Sequence, residues 1–253
     1  IQTSIDKSGY PLDISISDNG EKLFTSYMNV GNMVMQNTLA AYNFGEVGQN
    51  SNADRLVGSN TFTDQIFSKV QFVDNDTVVA FGTKTIHIYA MKETPTLKKR
   101  IAFENEIRSI FYGDDYIGVI QKNSNESENN LYTIRVFNLR GKELFTKSIS
   151  FDYDNIFAGK NEVIITGGND CAIFRKNGAV KFQGKLKNKI RSVVPSGKHL
   201  EYVVVYENET QVIKLKNVLP EGTQKSTGTK SEPVTATPAN AATSGDAQKG
   251  QGR

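Results

Sequence analysis

The 253-residue chain has no tryptophan, one cysteine, two histidines and six prolines. With Cys171 alone, an intrachain disulfide is excluded. His87 and His199 are far apart, with no Cys, Asp or Glu at metal-ligand spacing, so neither zinc ligation nor a histidine dyad is indicated. No run reaches the ~18 apolar residues a membrane span needs. Excess charge is also missing: 30 Lys and Arg stand against 27 Asp and Glu. Without a dense basic patch, a nucleic-acid partner is not expected. No glycine-rich loop leads from a strand into a helix, so there is no phosphate cradle and no cofactor is expected. From Val218 to Arg253 there is no aromatic residue and no Ile, Met or Cys. That stretch cannot bury enough apolar surface to offset the entropy of ordering it. Residues 1–217 are therefore read as the folded domain and 218–253 as a disordered polar tail.

What the sequence does have is a recurring phrase. Ile107-Arg108-Ser109-Ile110-Phe111 returns as Ile190-Arg191-Ser192-Val193-Val194, with looser copies at Pro11–Ser15, Phe67–Gln71 and Tyr153–Phe157. Self-similarity at about 40 residues marks repetition of one supersecondary unit. Two copies are spaced more widely by polar, Asn-rich insertions, at about Gly45–Asn60 and at Lys122–Asn130, both read as loops.

Each unit holds three or four short strands rich in Val, Ile, Phe, Tyr and Thr, separated by Gly, Asn and Asp turns. The clearest predicts strands at Ile107–Tyr112, Tyr116–Gln121, Leu131–Asn138 and Glu143–Ile149. The preceding unit predicts Lys69–Val73, Thr77–Gly82, Thr85–Met91 and Leu97–Phe103. Nearly continuous apolar runs at Tyr116–Ile120 and Glu162–Thr166 suit strands covered on both faces. Four antiparallel strands per unit define the blade of a β-propeller, with about five blades visible. The last offers only three strands, at Lys189–Pro195, Tyr202–Tyr206 and Thr210–Lys216. Ile1–Asp6 is one source for the fourth, and Ile1–Asp6 as the outer strand of an earlier blade is the alternative.

Gly9-Tyr10-Pro11-Leu12-Asp13-Ile14-Ser15-Ile16-Ser17-Asp18-Asn19-Gly20-Glu21-Lys22-Leu23 resembles the opening of a WD40-like or YVTN-like blade. With Tyr42–Gln49 and Asp54–Gly58, it resembles an uncharacterised family of bacterial membrane-anchored propellers, a domain of unknown function, over residues 9–217. The resemblance implies an extracytoplasmic propeller held by an N-terminal anchor that this sequence does not include. It supplies no catalytic residues. The Gly-His and Trp-Asp dipeptides of true WD40 repeats are absent.

Candidate sites are few. Arg108 and Arg191 hold equivalent places in two copies of the phrase and are the candidate binding residues. Asp74-Asn75-Asp76 and Asp152–Asn155 space oxygens as some calcium loops do, but lack the longer ligand series and closing Glu of an EF-hand, so turn chemistry is expected. Lys98-Lys99-Arg100 is expected on a solvated outer strand, Cys171 as a buried thiol, and His87 as a structural side chain. The chain is thus expected to be a non-catalytic, monomeric scaffold for a protein, peptide or cell-wall glycan. The alternative is a hydrolase or lyase with carboxylates around a propeller channel.

Overall fold

The computed structural model describes residues 9–31, 34–46, 54–127 and 130–215. The expected tail, the Ile1–Asp6 strand and part of the first insertion lie outside the described residues. Every long regular element is a strand, and the strands form five antiparallel sheets. The first holds β1 (Tyr10–Ile16), β2 (Lys22–Gly31), β3 (Val34–Asn43) and β4 (Leu56–Phe62). The second holds β5 (Phe67–Phe72), β6 (Thr77–Gly82), β7 (Thr85–Met91) and β8 (Pro95–Ala102). The third holds β9 (Ile107–Tyr112), β10 (Tyr116–Ser127), β11 (Asn130–Asn138) and β12 (Glu143–Ile149). In the fourth are β13 (Asn155–Ala158), β14 (Glu162–Gly167), β15 (Asp170–Arg175) and β16 (Val180–Lys185), and in the fifth β17 (Ile190–Pro195), β18 (Glu201–Tyr206) and β19 (Thr210–Lys214). Each sheet is a meander in sequence order, with the recurring phrase as its first strand.

The described residues form two compact units. One comprises residues up to Asp152 with 158–163 and 174–179, and the other Tyr153–Phe157, 164–173 and the residues from Val180 on. In the first unit the core lies between stacked sheets. Phe24, Leu39 and Ala41 of the first sheet meet Phe67, Val70, Val78 and Tyr89 of the second. On its other face the second sheet packs Val79, Phe81, Ile86 and Ile88 against Ile117, Val119 and Phe137 of the third. Strands covered on both faces need apolar side chains at successive positions, hence the runs Val78–Phe81 and Ile117–Ile120. In the second unit Ile164, Cys171 and Ile173 pack with Ile190, Tyr202, Val204 and Ile213.

Side chains also lock the first sheet to the second. Asp13 Oδ2 accepts the Val70 N–H at 2.8 Å, and Ser15 Oγ accepts that of Phe72 at 2.8 Å. The common offset means that β1 and β5 run in the same direction. Buried Asn37 donates to Ser26 Oγ and the Tyr27 carbonyl, and accepts from the Phe67 amide. All these polar groups are satisfied, as burial requires.

Three expectations need correction. The insertion read as loop to about Asn60 gives way earlier to β4, which pairs with β3 from Leu56 on. Lys122–Asn130 is largely not a loop: β10 runs to Ser127 and β11 starts at Asn130, with an irregular register between Lys122 and Ser127. Asn side chains hold this hairpin in place of apolar packing. Asn123 Nδ2 donates to Asn130 Oδ1 at 2.6 Å, and Asn123 Oδ1 accepts from Thr133 Oγ1 at 2.8 Å. The fourth copy of the phrase starts its strand late, at Asn155. Before it, Asp154 donates its N–H to the Thr166 carbonyl and accepts the Gly168 N–H on its carboxylate, an end cap in place of further ladder.

Candidate functional site

The first strands share a defect at one place. Pairing with the neighbouring strand jumps from Pro11 to Asp13 in β1, from Phe67 to Lys69 in β5, from Ile107 to Ser109 in β9 and from Ile190 to Ser192 in β17. The skipped residues are Leu12, Ser68, Arg108 and Arg191. A bulge of this kind bends the strand and re-aims a side chain. Arg108 and Arg191 therefore occupy one structural position, in different units.

Both arginines are exposed, and each is held. Arg108 lies over the ring of buried Tyr132, 4.9 Å from its centroid, and donates to the Tyr132 hydroxyl at 2.8 Å. That hydroxyl in turn donates to Asp152 Oδ1 at 2.5 Å. Such a stack contributes about 0.5–1 kcal/mol at an exposed site. Arg191 pairs with Glu207 at 3.1 Å, and its carbonyl accepts from Asn155 Nδ2. Each guanidinium is thus fixed in orientation yet open to solvent on one side.

The carboxylate clusters are consumed locally. Asp74 Oδ1 accepts the amides of Asp76 and Thr77, Asn75 Oδ1 accepts that of Asn19, and Asp76 pairs with Lys22. The cation at this turn is therefore a lysine ammonium. Among the described residues no three His, Cys, Asp or Glu side chains converge as metal ligands would.

Cys171 is buried in the second unit, and burial pushes its thiol up to about 12. Such a thiol holds its proton and is a poor nucleophile. His87 is 2% exposed, its ring tilted against Phe67 and edge-on to Phe62. Burial, assisted by the Arg100 charge, lowers its pKa to about 4. His199 is exposed on a loop.

One feature is invisible in the sequence. At the end of the first and second sheets where β1 and β5 begin, a cavity of about 400 Å³ is lined by Met35, Asp64, Gln65, Lys84, Thr85 and Arg100, among others. These positions are scattered over the β2–β3 hairpin end, the β4–β5 connection, the β6–β7 turn and β8. Of these only Arg100 stands out in the sequence, as part of a solvated basic run, and β8 is an exposed outer strand.

The fold so built, repeated four-stranded antiparallel meanders led by a bulged strand, is that of a β-propeller with WD40-like blades. Solved structures agree. The chain is similar to Chaetomium thermophilum Sqt1, crystallised bound to the N-terminus of ribosomal protein L10, at 12% identity and a TM-score of 0.52, over 77% of this chain and 55% of that one. It is also similar to a eukaryotic initiation factor at 10% identity and a TM-score of 0.54, over 80% of this chain and 51% of that one. The chain thus spans about half the length of these structures, and the likeness shows the fold alone. No curated protein matches. Residues 1–215 match a family of unknown function, DUF5711, and the chain belongs to it.

Proposed function

We propose that this protein is a non-catalytic scaffold that binds a protein or peptide, and that it works outside a bacterial cytoplasmic membrane on an N-terminal anchor. The observation that carries the binding role is the bulge repeated at one register position of four first strands. In three of these strands the skipped residue, Ser68, Arg108 or Arg191, is exposed, and in two it is an arginine oriented by a neighbour. Rigid frames with variable exposed positions are where binding surfaces are built. The similar fold that holds a ribosomal protein's N-terminus supports a peptide-type partner. The extracytoplasmic placement rests on the family resemblance of Gly9–Leu23, Tyr42–Gln49 and Asp54–Gly58.

A hydrolase or lyase is disfavoured. The buried His87 and Cys171 are neutral at working pH, and the Asp74–Asp76 carboxylates are tied into turns and an ion pair.

The test is affinity capture from bacterial membranes with the full chain and with an Arg108→Ala/Arg191→Ala variant. The scaffold reading expects a specific protein captured by the parent and lost from the variant at unchanged urea midpoint. Equal capture by both removes the arginines from the site. Release by soluble peptidoglycan fragments in place of protein would make the partner a glycan.

A further inference from the structure

We infer that the cavity between the first and second sheets is a recognition pocket for an acidic, partly apolar peptide segment of a partner protein, which rests on the scaffold reading above. The cavity is the unfilled end of the inter-sheet core. In the β7–β8 register Thr85 stands opposite Ala102, and His87 opposite Arg100. These four share one face of the second sheet, and three of them line the cavity. His87 is the next residue inward on that face. The first sheet contributes Met35 and Asn37 of β3 from the opposite wall. Asn37 is spent on the inter-sheet lock.

Two polar atoms here are buried without a hydrogen-bond partner among the described residues, Gln65 Oε1 and His87 Nε2. An amide oxygen left unpaired costs about the desolvation of a polar group, and a backbone N–H entering the cavity is the donor it lacks. Orphaned buried groups of this kind are uncommon enough to need a reason.

Charge selects the ligand. Lys84 and Arg100 bring two positive charges to the lining against one negative charge on Asp64. Among the described residues neither basic group makes an ion pair. An Arg fork left free beside a concave site is suited to a carboxylate.

The β2–β3 hairpin supplies the apolar side. Its strands are ten residues each, against six and seven for β6 and β7. The extra length carries exposed Val30, Val34 and Met35, and Met35 reaches the cavity. Adjacent exposed apolar side chains beside unpaired cations fit a segment that carries acidic residues flanked by aliphatic ones.

The test uses the full chain and a fluorescein-labelled hexapeptide, Gly-Leu-Glu-Glu-Leu-Gly, followed by fluorescence anisotropy. Saturable binding is expected, weakened about tenfold for the isosteric Gly-Leu-Gln-Gln-Leu-Gly probe. Lys84→Gln and Arg100→Gln should each weaken it about threefold, and Gln65→Leu about fivefold, while Lys187→Gln changes nothing. Equal affinity for the Glu and Gln probes overturns the charge argument. Loss of binding in Arg108→Gln but not in Lys84→Gln or Arg100→Gln moves the peptide to the bulge position and overturns the pocket. Failure of the probe while membrane capture still succeeds also overturns the pocket and leaves the scaffold standing. Failure of both overturns the scaffold reading itself.

Discussion

Lys22 Nζ lies 2.5 Å from Asp76 Oδ1 and 3.0 Å from the Asn75 carbonyl, joining the first sheet to the β5–β6 turn of the second. The lysine side chain is 8% exposed and the aspartate 53%. That asymmetry decides what each loss costs. Asp76→Ala leaves a buried ammonium with one carbonyl partner and should cost about 2–3 kcal/mol. Lys22→Met leaves only a solvated carboxylate and keeps the aliphatic packing, so it should cost under about 1 kcal/mol. Urea unfolding of the two variants checks this, and equal losses would refute it.

His87 should make the fold acid-sensitive in a defined window. Its folded pKa of about 4 lies below the ordinary 6.5. Above pH 6.5 the ring is neutral folded and unfolded, and contributes nothing to pH dependence. Between 6.5 and 4 the unfolded chain takes a proton that the folded chain refuses, so stability falls as pH falls. The full loss is on the order of 3 kcal/mol, reached below pH 4. His87→Leu should lack this component, so its urea midpoint should gain on the parent between pH 7.5 and pH 4.5. Parallel curves would show that His87 titrates normally.

Gly118 is required by one aromatic ring. It pairs with Phe111 across β10 and β9, and a Cβ there would stand 2.1 Å from the Phe111 ring. Gly118→Ala should therefore cost about 1–3 kcal/mol by overpacking. Combined with Phe111→Leu, the two losses should sum to less than additive, because the smaller side chain vacates the space. Additive losses would place the strain elsewhere.

Cys171 should be silent in the native protein. With its thiol at about 12 and its side chain 1% exposed, Ellman's reagent at pH 8 should find no thiol until denaturant is added, then one. Rapid native labelling would mean that the second unit opens locally.

The sheets were legible because β-structure with turns writes itself as period and punctuation. Ile107–Tyr112, Thr77–Gly82, Thr85–Met91 and Glu143–Ile149 were readable to the residue. Pairing between polar side chains has no such signature, so Lys122–Asn130 reads as loop, whereas Asn123 and Asn130 are joined by their side chains within a strand hairpin of irregular register. The shared position of Arg108 and Arg191 was legible from the repeat. Their bulge was not, because register jumps depend on the partner strand. Lys84, Gln65 and Arg100 meet only after two sheets stack, and no local spacing connects them.

The recurring bulge also bears on how such a chain can diversify. Leu12, Ser68, Arg108 and Arg191 are outside the ladder pairing, and the residues on either side complete it without them. Under the proposed binding role, substitution there would change recognition while leaving the ladder hydrogen bonds in place. On that reading selection would rewrite specificity one blade at a time, and a designer would do the same by grafting side chains at these positions.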